Sequence, residues 1–211
     1  MITLKLTESF NVIEKKIKKA YSEEINAHIN KNKKLLIEPC KQLAVGWISK
    51  QPEVLSLTDN IIGSLKGQFG IRDGQDVQAT YDIITAVSNA VSVDFTPYND
   101  KLMGGGLSVN FQPSDFLDLL GLQSGHVIYE NGDLHWLKWL LKEGTRTIVV
   151  GYQYDPETGM GRSGLGTMGV GGFFRVPPQF AGTENNNFVT RALLGKKQES
   201  DIASVFQDVL G

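Results

Sequence analysis

Cysteine is nearly missing from this 211-residue sequence. Cys40 stands alone, which excludes an intrachain disulfide framework and a cysteine-based zinc site. Histidine is almost as scarce, with three scattered residues. No apolar run approaches the ~18 residues that cross a bilayer. The opening MITLKLTESF lacks a basic stretch followed by an apolar one, which predicts no signal peptide. A net charge of −2 gives the whole chain no electrostatic preference for nucleic acid. No repeat with a period of ~20–50 residues recurs, so a solenoid or propeller is excluded. What remains is one domain, with or without an appendage, long enough to bury a core without staples. It is expected to be soluble and to fold in a reducing cytoplasm.

Charge is present but unevenly spread. Residues 1–50 carry ten lysines and five glutamates, net +5, and residues 51–211 carry eleven bases and eighteen acids, net −7. Such asymmetry marks either an interaction arm or the solvated lysine face of a long helix. Phe10, Ile13, Ile17, Tyr21, Ile25 and Ile29 recur every three or four positions, which predicts a helix over 8–37 with one narrow apolar stripe. A second helix starting at Pro39 reaches about Lys50, and Pro52 closes it. The chain thus divides into a helical arm, 1–50, and a core domain, 51–211.

Within the core domain, helices are predicted over 56–65 and 74–90, the latter on a stripe of Val77, Tyr81, Ile84 and Val87. Gly67 and Gly70 flank Phe69 and predict a helix stop followed by a tight docking turn. From Val91 the apolar period changes to two: Val91, Val93 and Phe95, then Leu107, Val109 and Phe111, form an antiparallel hairpin. Pro113, Ser114 and Asp115 open a short helix over 116–120, and 127–129 is a short strand. Asp133 caps a helix over 134–142, and Ser200 caps a last one over 202–210. Strands over 147–154 and 172–176 pair as a second hairpin around a projecting glycine-rich loop, 155–171, and 188–194 is mixed. Without a regular βαβ rhythm, these elements predict an α+β fold: an N-terminal helical arm, an antiparallel β-sheet core with packed helices, and a long Gly-rich hairpin.

Candidate chemistry is sparse. Gly159–Gly169 twice fits G-x-G-x-x-G, and nucleotide binding there is one reading. A dinucleotide site needs a helix after the glycines, and Gly171–Gly172–Phe173–Phe174 leads into a strand and Pro177–Pro178 instead. His126, Glu130 and His135 have neither metalloprotease nor one-face strand spacing. Cys40 reads as a buried, inert thiol. Nothing assembles into nucleophile, base and orienter, so the sequence predicts no enzyme and no cofactor. The lysine arm lacks the interleaved aromatics of single-strand binders and any helix–turn–helix pattern. Trp136–Leu137–Lys138–Trp139 lies in a helix that is apolar nearly all round, which needs cover from a neighbouring subunit or from the core. Arg162, the only charge between Glu157 and Arg175, is expected at the loop tip, facing an acidic neighbour. Alanine at Gly161, Gly164 and Gly166 together is expected to spare the fold and weaken contacts between subunits.

Several stretches occur in an order that resembles a known group. They are Pro52–Leu57, Leu65–Ile71, Trp136–Gly144, Gly161–Gly164 with Met168, Arg175–Thr183, and Asn187–Ala192 with Arg191. Together, over most of 52–195, they are similar to the neck, or tail-completion (head–tail joining), minor virion proteins of tailed bacteriophages. The resemblance implies a noncatalytic virion protein, assembled in the bacterial host cytoplasm, that forms a ring, usually hexameric, where tail meets head. Its implied partners are further copies, the adjacent connector and tail proteins, and phage DNA passing through the lumen without specific binding; no membrane is involved. The glycine-rich block 145–183 departs from the smaller tail-completion proteins, so a tail terminator or another tail ring remains an alternative. The interface candidates are Ile13, Ile17, Tyr21 and Ile25 on the arm, Trp136 and Trp139, and Arg162, Arg175 and Arg191.

Overall fold

The computed structural model describes residues 7–111, 115–129 and 132–211. The expectations resting on the first six residues, on Pro113 and Ser114, and on Glu130 lie outside the described residues. Helix α1 spans Phe10–Asn32. Exposed ion pairs at i,i+4, Lys18–Glu14 at 2.7 Å and Lys19–Glu23 at 3.8 Å, add a few tenths of a kcal/mol each to its polar face. Its second half is tied down. Ser22 is buried, and Asn26 both donates to the Tyr98 carbonyl and accepts from the Tyr98 N–H, each at 2.8 Å. The His28 ring meets the Leu210 carbonyl at 3.1 Å. Ahead of Ser22, every residue from Phe10 to Tyr21 is exposed except half-buried Ile13.

A turn of 3-10 helix, Lys33–Leu36, leads into α2, Ile37–Ile48. Pro39 is the third residue of α2, where a missing N–H breaks no helical bond. Cys40, Ala44 and Ile48, one turn apart, are fully buried. Residues 37–48 therefore belong to the core, and the free arm is the first three turns of α1 rather than fifty residues. The reason lies in the side chains: α2 turns a small apolar row inward, whereas lysines surround the start of α1.

Two short helices follow, α3 (Pro52–Thr58) and α4 (Leu65–Phe69), where the sequence predicts one over 56–65. Pro52 opens α3 at its first position, and the Ser56 hydroxyl accepts from the Leu65 N–H at 2.9 Å. Gly70, at φ 65°, ends α4 while the Ile71 N–H returns to the Lys66 carbonyl. Helix α5, Gln75–Asn89, buries Ala79, Ile83 and Val87 and leaves Val77 and Tyr81 exposed. Its inward face is thus rotated from the predicted one, onto the row Ala79, Ile83 and Val87. Strands β1 (Ser92–Thr96) and β2 (Gly106–Asn110) form the predicted hairpin, with Val93 opposite Val109.

Beyond it lie α6 (Leu117–Leu120), β3 (Val127–Tyr129), β4 (Gly132–Leu134) and α7 (Trp136–Leu141). Asp133 sits in β4 and does not cap a helix; its carboxylate is taken by His126 at 2.8 Å. Strands β5 (Val149–Asp155) and β6 (Thr167–Phe174) pair antiparallel, with a bulge in which Gly171 and Gly172 of β6 stand opposite Gly151. The mixed segment is α8, Phe188–Leu193, capped by Asn187, whose side chain accepts from the Val189 and Thr190 N–H groups. The last helix, α9, spans Lys196–Leu210 and starts after Gly195, well before Ser200.

The fold is α+β with an N-terminal helical arm. Among the described residues the strands make three separate two-stranded ladders, β1–β2, β3–β4 and β5–β6. The core is therefore helical, not the expected β-sheet core: α2 to α5, α7 and α8 supply most of it, and the ladders add residues such as Val127 and Phe174. Two strands offer too narrow a face to organise a core of this size. No described helix is long and apolar enough to cross a membrane.

Candidate functional site

The glycine-rich segment is docked onto the body of the protein. Strand β6 begins at Thr167, so Gly169, Gly171 and Gly172 lie in a strand and the connection shrinks to 156–166. Asp155 starts the turn by accepting from the Glu157 and Thr158 N–H groups at 3.0 and 3.2 Å. The Gly161 N–H then bonds to the Gly166 carbonyl at 2.8 Å and closes the tip. The Tyr154 hydroxyl donates to the Leu165 carbonyl, and both lie against Gly67 of α4. A Cβ on Gly67 would stand 2.7 Å from the Tyr154 hydroxyl and 2.9 Å from the Leu165 oxygen, so only glycine admits this contact.

Arg162 holds the tip. Its Nη1 donates to the Ile128 carbonyl at 2.5 Å, and its guanidinium carbon lies 5.5 Å from the Tyr129 ring centre. Tyr129 in turn donates to the Phe69 carbonyl at 3.0 Å. Arg162 is therefore an internal clamp rather than the exposed charge expected at a projecting tip. A planar fork near a strand-end carbonyl and an aromatic face gains more there than in water.

The two tryptophans separate. Trp136 is fully buried and stacks on Phe69, centroids 5.6 Å apart and planes at 25°, so it belongs to the core and not to a subunit interface. Trp139 is half-buried and lines a cleft of about 630 Å³ between the β3–β4 and β5–β6 ladders, with Tyr129, Leu134, Ile148, Tyr152 and Met168. Its indole Nε1 is buried without a partner. Beside the cleft the β5–β6 ladder exposes Val150 (80%), Val170 (89%) and Phe173 (49%), and Arg175 lies 4.3 Å over the Phe173 ring. Arg175 stays accessible. Arg191 is part exposed but engaged: it pairs with Glu53, whose side chain is 1% exposed, and reaches Asn186 Oδ1 at 3.1 Å. Its guanidinium is spent inside the chain, because a buried carboxylate requires a counter-charge. On α1, Ile13, Ile17, Tyr21 and Ile25 share one face; Ile17 and Tyr21 are exposed, while Ile13 and Ile25 are half-buried.

One buried charge cluster escaped sequence reasoning. Lys66, 1% exposed, meets Asn60 Oδ1 and Asp73 Oδ1 at 2.5 Å and Asp76 Oδ2 at 2.8 Å. Burial works against its charge, but the two aspartates outweigh burial and hold the ammonium above its ordinary value. Asp76 is likewise disfavoured by burial and yet held below the usual carboxylate range by Lys66 and the Val77 N–H. A nucleophilic lysine needs the opposite shift. The readable signal was a lone lysine in an apolar helix with acids seven and ten positions on.

The β3–β4 ladder brings His126 and His135 together, with rings stacked at 3.9 Å, although their spacing gave no reason to pair them. Burial first, then His126, pushes His135 below its usual value, against the pull of Asp133. Ser124 and His126 line a cavity of about 320 Å³, but the Ser124 hydroxyl makes no hydrogen bond to the imidazole, so the nucleophile–base contact is not formed. Burial pushes the Cys40 thiol up, away from the reactive thiolate. Among the described residues no group of three or more His, Cys, Asp or Glu is placed to hold a metal. The Gly159–Gly169 stretch runs into β6, so no helix follows the glycines as a dinucleotide site requires. No protein-family model, curated protein or solved structure matches this chain.

Proposed function

We propose that this chain is a noncatalytic structural subunit that self-assembles into a ring at the head–tail junction of a tailed phage particle. One observation carries the reading. The chain exposes two separate apolar surfaces, the α1 stripe with Phe10 at 75% and Tyr21 at 60%, and the β5–β6 face with Val150 and Val170. Surfaces of this kind mark sites of association. Separate patches on one subunit suit heterologous contacts, each with its own complement on a neighbour, which close into a ring when the rotation allows. The neck position, the hexameric count and the adjacent connector and tail proteins come from the ordered motifs that resemble the tail-completion group; a tail terminator has the same requirements. Trp139, Arg175 and the α1 stripe are the interface residues of this reading.

Light scattering on the eluting protein across a range of concentrations tests it, with electron microscopy of the largest species. A closed ring that dissociates on dilution supports the proposal. A monomer at every concentration whose melting temperature rises with a nucleotide overturns it in favour of the glycine-stretch enzyme.

A further inference from the structure

We infer that the groove between α5 and α6 receives the free first turns of α1 from a second copy of this chain, joining copies arm to groove. The inference rests on the ring reading and names its contact. Residues 10–21 leave the body of the protein ahead of the Asn26–Tyr98 clasp, with Phe10, Ile17 and Tyr21 exposed along one face. These turns propagate from the docked second half of α1, so their helix is already nucleated and only their apolar face lacks cover. A partner surface is what supplies it.

The groove holds about 540 Å³. Thr85, Ala86, Ala90 and Leu122 line it together with Asp82 and Asp118. Ala86 and Ala90, one turn apart, let a helix approach closely. Exposed Val77 and Tyr81 continue the row along α5 toward Thr85, and exposed Leu117 extends α6. Charge decides the occupant. Residues 71–129 carry seven aspartates against Arg72 and Lys101, net −5, while residues 1–50 carry net +5. Lys16 and Lys18 flank the apolar stripe of α1 on opposite sides. Their present pairs with Glu8 and Glu14 are exposed and worth little, so exchanging them for groove carboxylates meets a low barrier.

Arm and groove are different patches, so each copy gives one arm and takes one, the arrangement a ring needs. A three-turn helix buries less than the ~800 Å² per partner of a standard interface. A single contact is therefore weak, and ring closure makes it persist.

Two charge-reversed proteins test this. One carries Lys16→Glu and Lys18→Glu, the other Asp82→Lys and Asp118→Lys. Each alone places like charges across the contact and should raise the dissociation midpoint about tenfold or more. Their mixture restores opposite charges at every contact and should assemble like the parent. Cross-linking adds a readout independent of these charges. Ile17→Cys and Thr85→Cys proteins, treated with a bismaleimide, should give a covalent pair when mixed and none separately, since Cys40 is fully buried. If the parent forms rings while neither reversal weakens them, or no mixed pair cross-links, the arm–groove contact is wrong and the ring reading stands. Cross-linking of the Ile17→Cys protein with itself means arms pair with each other, which also overturns the contact. A parent that stays monomeric at every concentration overturns both.

Discussion

Replacing Gly166 with alanine tests whether the 156–166 connection is docked or projects. Gly166 has φ +100°, and an added Cβ would stand 2.6 Å from the Asp155 carbonyl oxygen, 2.9 Å from the Tyr154 hydroxyl and 3.0 Å from Pro156 Cα. The backbone strain costs about 1–2 kcal/mol, as for a non-glycine residue forced to positive φ. Overlap with backbone atoms that cannot swing aside adds about 1–3 kcal/mol. The sum is near 3 kcal/mol, or about 6–12 °C in melting temperature for a chain of this size. Gly164 supplies the control, with φ +75° and nothing within 4 Å of its Cβ. Gly164→Ala bears only the strain, about 1 kcal/mol and some 2–4 °C. If Gly166→Ala detaches the connection instead of unfolding the chain, the loss stops at the docking energy and proteolytic cleavage between Asp155 and Thr167 accelerates. Thermal unfolding with limited proteolysis of both variants reads either outcome. Equal melting temperatures and equal cleavage rates for the two would refute docking and restore the projecting loop. The expectation that alanine at Gly161, Gly164 and Gly166 spares the fold does not survive this geometry, since a Cβ on Gly161 also collides with the Gly166 carbonyl.

Three further outcomes follow from the packing. Trp136→Ala should cost about 3–5 kcal/mol in urea unfolding, because it empties a fully buried site beside Phe69, and Trp139→Ala should cost less; the reverse order would place α7 the other way round. Arg191→Ala strands the buried Glu53 carboxylate and should cost about 3 kcal/mol, at the low end for buried pairs because the guanidinium is part exposed. Adding Glu53→Gln to it should recover much of that loss, and a simple sum of the two single losses would count against a coupled pair. His135 is held below its usual value in the fold, so on acidification the unfolded chain takes up a proton that the folded chain does not. Stability should fall as pH drops below about 6.5 and level off beneath the folded value, and His135→Gln should flatten that slope in a pH series of denaturation midpoints.

Local signals were legible where they act within a few residues. The alternation of Val93 and Phe95 with Leu107 and Val109 predicts β1 and β2, and Gly70 predicts the end of α4. Size is a poor guide to burial on α5: Ala79 turns inward and Tyr81 outward. The start of α7 is not legible locally, because Asp133 has two uses, a helix cap or an ion pair, and only the fold brings His126 to it. The docked connection was out of reach. Arg162 bonds to a backbone carbonyl 34 positions away, and Leu165 fits a space that exists because Gly67 lacks a side chain. Glu53 and Arg191 lie 138 positions apart. Of the interface candidates, the α1 stripe was readable from periodicity alone, whereas the roles of Trp136, Arg162 and Arg191 depend on partners that no spacing rule names.

The position of α2 sets the order in which the polypeptide can mature. Cys40, Ala44 and Ile48 precede in sequence the helices that cover them, α5, α8 and α9, which extend to Leu210. A chain growing from its N-terminus holds this row uncovered until translation has passed α8, so the core closes late. Such long sequence separations slow folding, because loop entropy is lost before the contacts form. On the arm–groove proposal, a neighbour can receive the arm only once its own α5 and α6 have settled. If copies assemble in this way, subunit folding precedes assembly and limits its rate at high protein concentration.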